Sequence, residues 1–551
     1  MRYGAGDREP DDYDHRPARR GRAKDGPMAR VGGPGRSSGR PRQSRSVWRR
    51  KSGMAKTGYV LASVFALVIM VGGIGGYAYV RHLEGNITSV NVGGLSGRTI
   101  YGAQNILVLG SQIRAGQHGK FFGIAAGSSI YTSNSDNLLV VHLDPTHTHA
   151  TILSIPRDTF VYEPGCKARS SFIGYGIQGP YTYPPGNIID GALNIGGPTC
   201  AVKTVEALTG IKLDHFVEFN FNSFRAMVDA MGGVEVCVPR GGYHDPASGV
   251  NLKPGKHLLH YNQALAYVRQ RHNLQGPGAG GDLPRIKLQQ AFISSVVQQV
   301  NQQGLFSNLS KLLHVADIAT KALTVDKSLG SISSLLHLAR SLTHLKAKNV
   351  TLVTMPTTVD TYEYPKYSSH LMTVEPQDDV LFGMLLKGQN WHGHLPVLAP
   401  AKVQVRVVNG TGRGHLASRT EAKLRQLGFD VVGISSGSYT SSTTVSYAGI
   451  AQADAAYTVM TALTKFPAGQ SLLAEPTPQV GTPGPVTLTL GADFAGVTAP
   501  APQTGTSTKP GKKSSGTGGS GTVLGGGQNG PNSVQARNAG SNICSGLPKG
   551  G

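Results

Sequence analysis

Acidic residues are scarce in this chain: 31 Asp and Glu face 53 Lys and Arg among 551 residues, a formal net charge of +22. So basic a balance directs attention to anionic partners. Tryptophan is rarer still, with two, yet 15 Phe and 39% hydrophobic residues suffice for ordinary α/β domains. They exclude a collagen-like chain and a polytopic membrane protein. The four cysteines include no C-x-x-C pair, so no metal site of that kind is implied. Long hydrophobic runs are absent but for one. Glycine is abundant, at 74 with 32 prolines, which leaves part of the chain outside any packed core. The length suits about two to four domains of roughly 100 to 200 residues each.

The single apolar run, Tyr59 to Val80, carries no charge over 22 residues. At about 1.5 Å per helical residue it reaches about 33 Å, enough for a hydrocarbon core of about 30 Å, so 59–80 is predicted to be one transmembrane helix. Residues 1–58 hold 16 Lys or Arg against six Asp or Glu, with Arg45, Arg49, Arg50, Lys51 and Lys56 closest to the span. Positive flanks stay on the cytoplasmic side, so the expected topology is a single-pass plasma-membrane protein with a cytoplasmic N-terminus and the rest of the chain extracellular. The leader is too long for a signal peptide, and no small-x-small cleavage site follows the span; it reads as an uncleaved signal anchor. The basic tail, predicted to be disordered, has almost no aromatic residues and adjoins the span. Topology explains it more simply than nucleic-acid binding, and no nucleic-acid partner is expected.

A sparse, even number of cysteines in an exported chain suits disulfides. Of the three possible pairings, one joining Cys200 and Cys237 is expected, because these flank one continuous α/β stretch; Cys166 lies in a turn and Cys544 in a glycine-rich tail.

After a Gly/Ser-rich stalk at 81–101, residues 102–394 read as one α/β domain. Asn105–Gly110, Asn137–Leu143 and Ala150–Ile155 are apolar strands, the last two joined by a link of hairpin length. Helices at Thr199–Gly210 and Asn222–Met231 then alternate with strands at His215–Phe219 and Val234–Val238, the pattern of an α/β/α sandwich. Gln263–Gln270 and Lys287–Gln303 carry helical periodicity around a Gly- and Pro-rich loop, Gly276–Pro284, a candidate site edge. Leucines at three- and four-residue spacing from Leu305 to Leu345 predict two or three amphipathic helices. Residues 401–496 read as a small α/β domain with strand Val403–Val408, helix Leu416–Leu427 and strand Phe429–Ile434. Its Asn409-Gly410-Thr411-Gly412 turn lacks the glycine pattern of a dinucleotide cradle. Residues 497–551, rich in Gly, Ser, Thr, Pro and Lys, are predicted to be disordered.

The most unusual string is Ser154-Ile155-Pro156-Arg157-Asp158-Thr159, an arginine and a carboxylate where a buried strand emerges through a proline. Arg269 and Arg271 follow much later, and Asp282 with Arg285 come after the glycine loop. Were these to converge, four guanidiniums would form a polyanion site, since the planar fork makes bidentate bonds to phosphate and keeps its charge. Asp136 and Asp158 are candidates to hold Mg²⁺ (or Mn²⁺) against the same phosphates. On spacing alone, surface salt bridging is the favoured account of these residues.

Taken in order, the strings resemble the LytR-CpsA-Psr family of membrane-anchored cell-wall enzymes. The resemblance runs from Asn105 to about Gln303. It rests on Asn105–Gly110, Ser135-Asp136-Asn137, Ser154–Thr159, Asp229–Val234, Ala264–Arg271, Asp282–Arg285 and Gln289-Gln290. Val403 to about Ala495, opening on Val407–Gly412, resembles the LytR C-terminal domain that often follows this core. The resemblance implies a Mg²⁺-dependent phosphotransferase that moves a glycopolymer from a polyprenyl-pyrophosphate carrier to a hydroxyl of peptidoglycan, outside the membrane. Asp136 would sit at the metal; Arg157, Arg269, Arg271 and Arg285, with Gln289, would hold the pyrophosphate; Asp158 would orient Arg157, serve the metal or act as a base. A tunnel between sheet and helices would take the lipid. The chain departs from the family pattern at Gln112, Asn134, Ile188, Asp190 and Leu288, which removes one expected metal ligand and two arginines. The competing expectation is a weakly catalytic member that binds lipid-linked wall polymer as a scaffold.

Overall fold

The computed structural model describes residues 53–97, 102–111, 134–161, 166, 187–275, 282–302, 309–359, 370–391, 393–464, 484–500 and 534–550. The basic stretch to residue 52, Gln112, loop residues 276–281 and residues 501–533 lie outside the described residues. The chain divides into two units, Met1–Gly73 and Ile74–Gly551. Helix α1 spans Gly53–Asn86. Its apolar side chains from Tyr59 to Tyr77 are exposed, and among the described residues Tyr59–Asn86 is the one helix long and apolar enough to cross a membrane. The expected span is thus part of a longer helix that takes up the start of the expected stalk.

The second unit is built on an eight-stranded sheet. Its strands lie in the order Thr88–Val90, Leu323–Asp326, His215–Asn220, Gln104–Ser111, Ser135–Leu143, Ala150–Ile155, Val350–Thr354 and Gln535–Asn538. Helices α2 (Ala192–Thr209), α3 (Phe221–Ala230), α4 (Tyr261–Arg269), α5 (Leu283–Gln302), α6 (Leu309–Ala322), α7 (Ile332–Leu342) and α8 (Gln377–Leu386) accompany it. The run Ile106-Leu107-Val108-Leu109 shows why the sheet is covered twice. Side chains alternate across a strand, so a run with no polar break must bury both faces. Leu107 and Leu109 pack with Leu138, Leu153 and Val353 under α2 and α8, while Ile106 and Val108 join Leu139, Ile152 and Leu352 against Ile293 of α5 and Leu338 of α7. The predicted α/β/α sandwich is what the chain forms. One predicted helical stretch differs: between α6 and α7, Leu323–Asp326 is a strand, registered with Leu323 opposite Phe219. Its β-branched Thr324 and Val325 suit a pleated surface better than the leucine spacing around them suggests.

The small C-terminal domain has a four-stranded sheet ordered Asp430–Ser436, Gln404–Asn409, Val486–Leu490, Thr444–Ser446, with helices α9 (Leu416–Gln426) and α10 (Ala453–Thr461). It exceeds the expected strand-helix-strand module by two strands and α10. In its Asn409 turn, the Asn409 Oδ1 accepts from Thr411 N at 3.1 Å and its Nδ2 donates to Arg413 O at 2.8 Å, so this asparagine is used within the turn. Tyr457 and Met460 of α10 share one core with Leu381 and Met384 of α8, and the Tyr447 hydroxyl donates to Asp379 Oδ2 at 2.7 Å.

Three carboxyls crowd this junction. Burial, then the charge of Asp379, pushes Glu375 up to about 8; burial also raises Asp379 and, much more, Asp378. A carboxyl raised by folding favours the fold fully below its unfolded value, and that contribution is lost as the pH rises through the folded value. Thermal melts are therefore expected to show a midpoint lower by roughly 5 °C at pH 9 than at pH 6, with Glu375→Gln removing part of the difference. Equal slopes for variant and parent would show that this carboxyl is not the cause.

Two expectations are corrected. The disulfides join Cys166 to Cys200 and Cys237 to Cys544, with Cα separations of 5.5 and 5.0 Å, not Cys200 to Cys237. Cys200 lies on α2, which covers one face of the sheet. Cys237 lies in a hairpin, Val234–Val238 with Gly255–Leu259, whose core includes Phe292 of α5 on the other face. Nearness in sequence placed the two in different layers. Nor are residues 534–550 disordered. Gln535–Asn538 pairs antiparallel with Val350–Thr354, Val534 and Ala539 are buried, and Gln298 Nε2 of α5 donates to Ser541 O at 2.9 Å. Lys549–Gly550 pairs with Leu274-Gln275. A Cβ on Gly550 would stand 1.8 Å from Gly242 O, so only glycine seats the segment there. Composition hid a short segment with enough β-forming and apolar residues to complete a sheet edge.

Candidate active site

Four strands of the main sheet, His215–Asn220, Gln104–Ser111, Ala150–Ile155 and Val350–Thr354, run in one direction. Ligands of open α/β sheets collect at the carboxyl ends of such strands, and the polar residues lie there. Asp136 opens the antiparallel strand Ser135–Leu143 that starts at this end. Arg157 and Asp158 occupy the turn into which Pro156 diverts Ala150–Ile155. Asp282 and Arg285 come from the start of α5, and Asp190 from the 3-10 turn Ile189–Gly191 before α2.

Arg157 is the hub. Its Nη1 donates to Asp136 Oδ1 at 2.6 Å, and its Nε lies 3.4 Å from Asp158 Oδ1 and 3.8 Å from Asp282 Oδ1. Arg285 donates to Asp282 Oδ2 at 2.6 Å and approaches Asp136 Oδ1 at 3.9 Å. Burial lowers the affinity of Arg157 for its proton, but Asp136, Asp282, Asp158 and Asp190 together outweigh it and raise its pKa. Burial raises Asp282, with Arg285 and Arg157 pulling it back. Burial lifts Asp190 to about 7, against the pull of Arg157, and Asn134 Nδ2 donates to its Oδ2 at 3.2 Å. Two guanidiniums thus face four carboxyls in a largely buried cluster, with Arg271 near enough to act on Asp282 and Arg285 through its charge. The bland expectation of surface salt bridges does not describe this: the side chains of Arg157, Arg285 and Asp282 are 12%, 4% and 1% exposed.

The other predicted residues are placed differently. Arg269, at the end of α4, lies over the Phe221 ring at 4.9 Å. Gln289 Nε2 donates to Val268 O at 3.2 Å, tying α5 to α4, whereas Gln290 reaches the sheet, donating to Ser154 Oγ at 3.2 Å and Thr354 Oγ1 at 2.9 Å. Leu288 is fully buried against the hairpin core, so this departure from the family pattern is a packing residue. Asp282 and Asp190 are the members missed as site residues. The Asp-x-x-Arg spacing at the head of α5 signals the first; nothing local signals the second.

Residues 84–377 match the model of the LytR_cpsA_psr family, more than half of the chain. The chain belongs to the LytR-CpsA-Psr family. Residues 402–494 match a second family model, described as LytR cell envelope-related transcriptional attenuator. Among LytR-CpsA-Psr relatives, the chain is 29% identical over 404 residues to the cell wall biosynthesis protein LcpA of Corynebacterium glutamicum, covering 68% of this chain and 75% of that protein. It is also 29% identical over 234 residues to the polyisoprenyl-teichoic acid–peptidoglycan teichoic acid transferase TagU of Oceanobacillus iheyensis, covering 42% of this chain and 62% of that one. A solved LytR-Csp2A-Psr enzyme from Actinomyces oris superposes with a TM-score of 0.41 at 21% identity, covering 55% of this chain and 97% of that chain.

Proposed function

We propose that this protein is a membrane-anchored phosphotransferase that attaches a glycopolymer, carried on polyprenyl pyrophosphate, to peptidoglycan. The observation that carries this reading is the convergence of Arg157 and Arg285 with Asp136 and Asp158 at the carboxyl end of the sheet, in a chain related to a named teichoic acid–peptidoglycan transferase. Pre-oriented guanidiniums suit phosphoryl transfer, where catalysis is mainly positioning and stabilisation of charge on the equatorial and leaving oxygens. The acceptor hydroxyl oxygen bonds to the phosphorus that carries the polymer, the bond to the polyprenyl phosphate oxygen breaks, and the hydroxyl proton passes to a base. Asp158 is the candidate base. Asp136 is the carboxylate that fixes Arg157, and Asp158 has the most exposed side chain of the acids paired to it, at 24%.

Among the described residues no three His, Cys, Asp or Glu side chains gather into a metal cage. Asp136 and Asp158, both beside Arg157, are the carboxylates that would hold Mg²⁺ or Mn²⁺, since a magnesium site of one or two carboxylates is completed by water and phosphate oxygens. Such an ion would supply Lewis-acid stabilisation of phosphoryl charge. The two disulfides and the basic stretch before α1 support a cytoplasmic N-terminus with the catalytic domain extracellular.

The test uses the full chain in detergent with a polyprenyl-pyrophosphate-linked glycan and peptidoglycan fragments, scoring polymer transfer and release of lipid phosphate. Turnover that requires Mg²⁺ or Mn²⁺ and stops with chelator is expected. Lipid binding without turnover under any metal or acceptor would instead make this a scaffold for lipid-linked polymer.

A further inference from the structure

On the flank of α5 turned away from Arg285, a groove of about 350 Å³ runs between the helix start and the 546–549 segment. Pro284 and Lys287, one helical turn apart, form one wall with Gln275; Leu547, Pro548 and Lys549 form the other. The second wall is fixed. Cys544 is bonded to Cys237, Tyr243 donates its hydroxyl to Pro548 O at 2.8 Å, and Lys549 lies opposite Gln275 in a two-stranded ladder.

The two ammonium groups at this groove are uncommitted. Lys287 is half-buried on α5, and neither its ammonium nor that of Lys549 has a hydrogen bond or an acidic partner among the described residues. Burial alone depresses the Lys287 pKa, with no neighbouring carboxylate to restore it. A half-buried ammonium without a counter-charge is costly. Pro284, Leu547 and Pro548 give the same groove an apolar lining.

We infer that this groove binds an anionic saccharide unit, its carboxylate or phosphate on Lys287 and Lys549 and its C–H face on Pro284, Leu547 and Pro548. The inference rests on the transferase reading. Pro284 and Lys287 of the groove and Arg285 of the arginine site all belong to the first turns of α5. The charge comes either from the polymer being moved or from peptidoglycan, and the two sources differ chemically.

The experiment titrates the full chain in detergent with three soluble probes by calorimetry or NMR. They are a muramic-acid-containing peptidoglycan fragment, a short poly(glycerol phosphate) and, as a neutral control, chitotetraose. At least one anionic probe is expected to bind more tightly than the neutral one. Lys287→Gln combined with Lys549→Gln should weaken that probe by roughly tenfold, with the melting temperature and the affinity for polyprenyl pyrophosphate unchanged. Binding of the muramic fragment assigns the groove to the acceptor, and binding of the phosphodiester assigns it to the donor. Equal binding of the neutral probe, or retention of anion affinity in the double variant, overturns the inference. Arg157→Ala should do the reverse, lowering affinity for the lipid pyrophosphate and leaving the soluble anionic probe in place. If polyprenyl pyrophosphate binding ignored Arg157, the transferase reading would fail while the groove result stood on its own.

Discussion

Replacing Arg157 with alanine is expected to lower the rate of polymer transfer by about 10² to 10³, the loss typical of removing one preorganised donor to a developing oxyanion. The size follows from its position. Its side chain is 12% exposed and its guanidinium is held between Asp136 at 2.6 Å and Asp158 at 3.4 Å. Truncation removes the guanidinium proposed to hold the phosphate and also leaves four carboxyls facing an incoming dianion. Arg157→Lys is expected to recover little, because a point charge cannot replace the planar fork between two carboxylates and a phosphate. The measurement is turnover with lipid-linked donor under saturating metal. A rate within threefold of the parent would remove Arg157 from the chemistry.

The largest expected stability loss belongs to Asp282→Ala. That side chain is 1% exposed, 2.6 Å from Arg285 and 3.8 Å from Arg157. Among the described residues, its loss leaves the buried Arg285 with Asp136, whose carboxylate lies at 3.9 Å and whose backbone oxygen accepts at 3.4 Å. Breaking a buried pair from one side costs about 3 to 5 kcal/mol, since the remaining charge stays desolvated. In a domain of this size that is a fall in melting temperature of roughly 10 °C. The double variant Asp282→Leu with Arg285→Met is expected to be more stable than Asp282→Ala alone, because it leaves no orphaned charge there. It should nonetheless be inactive, having lost the Arg285 guanidinium proposed to hold the pyrophosphate. If the double variant melts below the single one, the cost lies in shape and not in charge.

The sandwich was legible where local pattern and burial agree. The unbroken apolar runs at Ile106–Leu109 and Ala150–Ile155 announce strands covered on both faces, and Gly232-Gly233 marks the turn between α3 and the hairpin. The arginine centre was legible in part: Arg157, Arg285, Asp136 and Asp158 come together as their strings suggested. Asp190 was illegible, since its value as a buried, elevated carboxyl depends on a turn packed against Asn134 and Arg157 and not on its sequence neighbours. Long-range partners explain the disulfide error too. Cys237 finds Cys544 across 307 residues, a pairing no local pattern encodes.

The chain's path through the sheet alters what counts as a module. Val350–Thr354 is followed by the whole small domain, and only then does Gln535–Asn538 return to pair with it. The small domain is therefore an insertion in the sandwich, not an appendage to it. Cutting the chain near Pro400 does not yield two self-sufficient halves: the first would lack an edge strand and the cysteine that Cys237 requires. Exchanging small domains between relatives, if it is to leave the sandwich whole, needs two splice points, with 534–550 kept on the side of the sheet it completes.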